Sequence, residues 1–327
     1  MTSAPHAGLR RGLQLLLAVV GLAWRPALAD EPFPSKPITV IVSLQAGSAS
    51  DIATRVVAGE LSKRLGVKVI VENLPGAGGV LGASRLHGAK PDGYTLAALN
   101  NGLITFVPNL PDRPSFDIGT LAAVSMIAEL PSVLVVPAAL PASTLREFVD
   151  YSRQHPGKLS YGSVGMGSPQ HIAMEMLKSA TGADLLHVPY RGGPQAVADV
   201  VSGQIQGTWI AVSVAVPFIK TGQLRPLAVG GGTRSPQLPD TPTLKEAGVR
   251  EFEYVPWVGL YAPPNTPAPV LRVLSEAVQG VLDQKASRDQ IAGYGLRARA
   301  SSPAELQQVG QTERGEMAAV IEGLRLR

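Results

Sequence analysis

Ile38-Thr39-Val40-Ile41-Val42 leads through Ser43-Leu44-Gln45-Ala46-Gly47-Ser48-Ala49-Ser50-Asp51 into a pattern in which Val57, Leu61 and Leu65 recur at i+4 spacing. The β-branched run reads as a strand, the small-residue segment as a turn, and the i+4 series as the buried stripe of a helix. Residues 67–71 follow as a second strand, 76–79 as a flexible loop, 80–88 as a helix and 94–99 as a third strand. Strand, helix, strand, helix, strand in that order marks an α/β fold with a mainly parallel sheet flanked by helices.

The pattern restarts after Pro131. Residues 132–136 read as a strand and 144–154 as a helix, with Thr144 and Glu147 at capping-box spacing. A strand at 159–162 precedes Ser168-Pro169, an N-cap and first-turn proline. Strands at 185–188, 205–210 and 224–229 alternate with helical patterns at 194–201 and 214–220. The C-terminal part returns through Val255-Pro256-Trp257-Val258-Gly259-Leu260-Tyr261 to helices at 269–282 and 302–324. A second α/β lobe is therefore expected as an insertion, with residues 30–131 and 253–327 forming lobe 1 and 132–252 lobe 2. Two crossing strands would then act as a hinge, with the ligand site in the cleft between lobes.

Ahead of the first strand, Arg10 and Arg11 precede an apolar run at 12–24 and the small-residue triplet Ala27-Leu28-Ala29. That order reads as a secretory signal peptide over 1–29, cleaved after Ala29, because the apolar run is shorter than the ~20 residues that span a bilayer. The chain has no cysteine, so stability in an exported protein must come from burial. Removing Arg10, Arg11 and Arg25 from a net charge of +4 leaves about +1. With aromatic residues at 5% and no cationic run, no nucleic-acid surface is indicated. A periplasmic monomer that does not insert into the membrane is the expected state.

Enzyme signatures fail on the letters. Around Ser163 and Ser168 the glycines do not have the spacing of a nucleophile elbow. Gly76-Ala77-Gly78-Gly79-Val80-Leu81-Gly82 has leucine where a dinucleotide loop needs its third glycine. His87, His155, His171 and His187 lack metal-ligand spacing. No enzyme, cofactor or metal is expected. The competing reading is a secreted serine hydrolase using Ser163 or Ser168 with His171.

Two small-residue turns stand out, Ser43 onward to Asp51 and Tyr161-Gly162-Ser163-Val164-Gly165-Met166-Gly167-Ser168-Pro169-Gln170-His171. Each joins a strand to a helix, where the first N–H groups are unpaired and carry the positive end of the helix dipole. Ser50 and Ser168 could simply cap their helices. Two such turns, one per lobe, point instead to a shared anion seat that needs no cationic side chain.

At these residues the chain resembles the periplasmic solute-binding proteins of tripartite tricarboxylate transporters, the Bug or TctC-like family. The likeness runs through Val71-Glu72-Asn73-Leu74-Pro75-Gly76-Ala77-Gly78-Gly79, Pro91-Asp92-Gly93-Tyr94-Thr95-Leu96, Gly167-Ser168-Pro169-Gln170-His171, His187-Val188-Pro189-Tyr190-Arg191-Gly192 and Trp257-Val258-Gly259-Leu260. The resemblance implies a two-lobed periplasmic-binding-protein, or clamshell, fold that takes a mono-, di- or tricarboxylate between two loops. It also implies that the membrane components of such a transporter, or a sensor, are the partner. Carried over, the loops fall on Gly47, Ser48, Ala49, Ser50 and Asp51 and on Ser163, Gly167, Ser168 and His171. Where the family often has Phe-Asp, this chain has Trp209-Ile210. The acid that could hold an amino group is missing there, which disfavours an amino-acid ligand.

Overall fold

In the computed structural model, which describes residues 32–110, 113–250 and 253–324, strand β1 (Ile38–Val42) runs into helix α1 (Ala49–Leu65). Strand β2 (Val69–Asn73), helix α2 (Val80–His87), strand β3 (Thr95–Asn100) and the short helix α3 (Asn101–Thr105) follow. Then come β4 (Ala122–Glu129), β5 (Ser132–Pro137), α4 (Leu145–Gln154), β6 (Ser160–Ser163), α5 (Pro169–Thr181), β7 (Leu186–Pro189) and α6 (Gly193–Val201). The chain continues through β8 (Gly207–Ala211), α7 (Val212–Lys220), β9 (Leu224–Val229), β10 (Trp257–Ala262), α8 (Ala268–Leu282), α9 (Lys285–Gly293), β11 (Arg297–Ala298) and α10 (Pro303–Leu324).

The strands form two sheets, one ordered β11-β4-β10-β3-β1-β2 and the other β7-β6-β8-β5-β9. The first draws on residues 38–129 and 257–298, the second on 132–229, so the middle of the chain builds its own α/β lobe. The expected parallel pairs are present, β1 with β2 and β3 and β6 with β7 and β8. Both sheets are nevertheless mixed. Strand β10 is antiparallel to β3 and β4, and β5 is antiparallel to β8 and β9. The reversal follows from the insertion, because a chain that leaves a sheet along β4 and re-enters along β10 comes back in the opposite direction.

Four elements escape the sequence patterns: α3, β4, α9 and β11. Strand β4 reads Ala122-Ala123-Val124-Ser125-Met126-Ile127-Ala128-Glu129 and is buried along nearly its whole length. It lies between β10 and β11, and with both faces covered it has neither alternation nor a β-branched run to announce it.

The sequence reads as a strand at 67–71, whereas β2 begins at Val69, because the helix before it ends on Gly66 in the left-handed conformation. An apolar core reaches from one lobe into the other. Ile41, Leu99 and Phe106 pack in the same cluster as Ile172, Leu134 and Trp209. The crossing segments are tied to each other where Leu130 N–H donates to the carbonyl of Pro256 at 2.7 Å. Among the described residues no helix is long and apolar enough to cross a membrane. The expected signal peptide and its cleavage after Ala29 lie outside the described residues.

Candidate functional site

The turn before α1 is built by a reciprocal cap. Ser48, in extended backbone, is the N-cap, and its hydroxyl accepts the Asp51 N–H at 3.2 Å. Asp51 returns the favour one residue further out by accepting the Gly47 N–H at 2.9 Å. Gly47 has φ +78°, a conformation that costs glycine little. Arg55 Nε lies 2.9 Å from Asp51 Oδ1 and Asn73 Nδ2 also donates to that oxygen. Burial pushes the Asp51 pKa up, but hydrogen bonds from Arg55, Gly47 and Asn73 outweigh it and hold the carboxyl below its ordinary value.

With Ser48 and Asp51 engaged in this way, the N–H groups of Ala49 and Ser50 have no acceptor among the described residues. The Ser50 hydroxyl, on a residue 2% exposed, is also without a partner. The charge of Asp51 is matched by Arg55, so the positive end of α1 remains available to an anion.

The second turn mirrors the first. Ser168 is the N-cap of α5 and accepts the His171 N–H. Gly167 donates its N–H to His171 Nδ1 at 3.3 Å. Pro169 has no N–H, and among the described residues the N–H of Gln170 has no acceptor and its Oε1 no partner.

Both turns face one cavity of about 620 Å³. Gly47, Ser48, Ala49 and Ser50 line it from the first turn, and Val164, Gly165, Pro169 and Gln170 from the second. Trp209 and Ile210 line it from β8 and Ser132 from the start of β5. Among its lining residues there is no Asp or Glu and one cation, Arg191.

Of the residues expected at the site, Gly47, Ser48, Ala49, Ser50, Trp209 and Ile210 line the cavity, and Asp51, Ser163, Gly167, Ser168 and His171 do not. The latter group stands behind the backbone that does. Ser163 is fully buried, Oγ 2.6 Å from His187 Nε2 and accepting the Gly165 N–H at 3.0 Å. Gly167, at φ +77°, packs so that a Cβ would come 2.7 Å from Val107 Cγ2. His171 is buried against Phe106, Tyr161 and His187. Burial and the neighbouring His187 push its pKa down to about 4.

These contacts bear against the hydrolase pairing: His171 Nδ1 accepts from Gly167, and Ser163 is paired with His187 and not with His171. Arg191 brings a cation to the cavity lining from outside both turns.

The segments Gly76 to Gly79 and Tyr190 to Pro194, not among the expected site residues, also line the cavity. The second is another strand-to-helix turn of small residues, between β7 and α6, so the signal used for the other two would have found it. The first reads as a flexible loop, a failed dinucleotide motif and part of the family likeness, none of which places it at the site. It meets the opposite lobe, where a Cβ on Gly78 would lie 2.6 Å from the Met166 carbonyl oxygen.

Two mixed-sheet lobes, joined by paired crossing segments around a cleft that gathers unpaired helix N–H groups, define the class of two-lobed solute-binding proteins. A family model described as the tripartite tricarboxylate transporter family receptor matches residues 53–326. The chain belongs to that family.

A Cupriavidus necator protein described as "UPF0065 protein in gbd 5'region" is 35% identical over 295 residues, 89% of this chain and 88% of its own. The structure is similar to that of the periplasmic binding protein BugD, with TM-score 0.84 and 28% identity, covering 90% of this chain and 99% of that one. It is also similar to an R. palustris protein with adipate, at TM-score 0.85 and 28% identity over 89% of this chain and 98% of that one. A fourth similarity is to MatC from Rhodopseudomonas palustris with bound malate, at TM-score 0.83 and 30% identity over 88% and 100%.

Proposed function

We propose that this protein is an exported receptor that captures a carboxylate between its lobes and delivers it unchanged to a transporter or sensor in the membrane. The observation that carries this reading is the convergence of unpaired donors on one cavity without acidic groups: the N–H groups of Ala49 and Ser50 from α1 and of Gln170 from α5. Neutral donors at two helix N-termini suit an anion, and charge-assisted bonds to them are stronger than neutral ones. The malate and adipate held by the R. palustris proteins support the same ligand class. In this reading residues 1–29 are the signal peptide, 30–131 with 253–327 form one lobe and 132–252 the other. Leu130 and Pro256 lie at the hinge.

Chemistry on the ligand is not part of the reading, because the two candidate nucleophiles, Ser163 and Ser168, are fully buried and hold backbone. Native mass spectrometry of protein recovered from the periplasm tests it. The expected result is a chain beginning at Asp30 that carries a carboxylic acid. A carried-through sugar, peptide or amine would overturn the ligand class. Solution scattering should show a smaller radius of gyration with ligand than without.

A further inference from the structure

Beyond the two turns the cavity is lined by Trp209, Ile210, Val197 and Val214, with Leu130 and Pro256 from the crossing segments. The volume of about 620 Å³ lies well inside the ~300–1,000 Å³ of sites that enclose drug-sized molecules. It is not the volume of a gaping cleft. The lobes already meet where Gly78 lies against Met166 and Gly192 against Gln45.

A carboxylate on the helix N-termini occupies only one end of this space, and something must fill the rest. Ordered water needs two to four polar partners per molecule. Among the described residues Ser132 Oγ and Trp209 Nε1 have no partner, but both are buried and give such water nothing accessible to bond. A small hydroxy-diacid would leave poorly bonded water against aliphatic side chains, whereas a hydrocarbon body would displace that water and bury the same surface.

Resting on the reading of a carboxylate receptor, we infer that the solute carries a bulky apolar body, an aromatic ring or branched hydrocarbon, seated against Trp209, Ile210 and Val214. Calorimetry on the mature protein tests this with two panels. One is phenylacetate, cinnamate and cyclohexanecarboxylate; the other is malate, succinate and citrate. At least one acid of the first panel should bind tenfold or more tighter than any of the second, with a negative heat-capacity change that marks apolar burial.

Val214→Thr should cut affinity for the first panel severalfold and leave the thermal midpoint of the unliganded protein close to wild type. Val214→Asp should abolish the preference. Tighter binding of the second panel, or equal binding of both, would overturn the inference and leave the carboxylate reading standing. Binding of phenylacetamide in preference to every acid, or of none of the acids at millimolar concentration, would overturn both.

Discussion

Ser163 Oγ lies 2.6 Å from His187 Nε2 across the parallel strands β6 and β7, a separation at which a nucleophile and its base would also sit. The surroundings decide otherwise. The Ser163 hydroxyl accepts the Gly165 N–H at 3.0 Å and lies 3.1 Å from the Gly165 carbonyl. It is fully buried and does not line the cavity, so a solute there has no path to it. The pair anchors the backbone of Gly165, and Gly165 lines the cavity.

Ser163→Ala should therefore cost about 1–3 kcal/mol of stability by orphaning buried partners, read as a lower urea midpoint at unchanged slope. Wild type should hydrolyse p-nitrophenyl acetate no faster than buffer. Turnover that disappeared in the variant would reveal a nucleophile instead.

Acid should weaken the fold through His171. Its folded pKa, pushed down to about 4, lies below the ~6.5 of an unfolded histidine. The unfolded chain thus takes up a proton first as pH falls. Stability is complete above about 6.5 and declines toward 4, by on the order of 3 kcal/mol from this group. His187, lowered in the same direction by burial, adds to the trend. Asp51 acts in the same direction at lower pH, losing its contribution as pH falls below the ordinary carboxylate value. Urea midpoints from pH 7.5 to 4.5 should fall in wild type and flatten in His171→Gln.

Gly102 tests the contact between the lobes without backbone strain. A Cβ there would meet the Gly167 carbonyl oxygen at 2.5 Å and Ile172 Cδ1 at 3.0 Å. Relieving such a clash costs about 1–3 kcal/mol, most easily by keeping the lobes apart. Gly102→Ala should bind solute roughly five- to a hundredfold more weakly. In scattering, the variant with solute should keep the larger radius of the unliganded wild type. Normal affinity would show that the contact yields freely.

Ile210 lines the cavity with no acid beside it, so an ammonium buried there would be unpaired, which is costly. Wild type should prefer 3-phenylpropionate to phenylalanine in calorimetry. Ile210→Asp should narrow or reverse that order. Equal affinities in wild type would mean that the amine finds another partner.

Two serines two residues apart should behave differently. Ser48 caps α1, and Ser48→Ala should lower stability by about 1 kcal/mol. Ser50 Oγ has no partner among the described residues, so Ser50→Ala should leave the unliganded melting temperature nearly unchanged and weaken solute binding. A loss of stability from Ser50→Ala with intact binding would assign its hydroxyl to the fold.

Local signals carried most of the fold. The alternation of strand and helix, the restart after Pro131 and the caps at Thr144 and Ser168 depend on neighbours within a few residues, so the letters determine them wherever the chain happens to lie. The same locality made both turns legible, because a helix N-terminus exposes its N–H groups whatever packs around it.

Only the packed chain could settle which atoms of those turns face outward. Ser48 rather than Ser50 is the cap because Asp51, held by Arg55 and Asn73, positions the turn from the neighbouring strand. Ser163 and His171 withdraw into the interior because His187 and Phe106, 24 and 65 residues away in sequence, meet them there. Strand β4, an alanine-rich segment covered on both faces, exists as a strand because β10 and β11 pair with it. The cavity itself, with Arg191 and the Gly76 to Gly79 loop on its lining, comes into being when distant turns converge. Hydrogen-bond partners and burial depend on residues far apart in the chain, and a reading confined to neighbouring letters has no access to them.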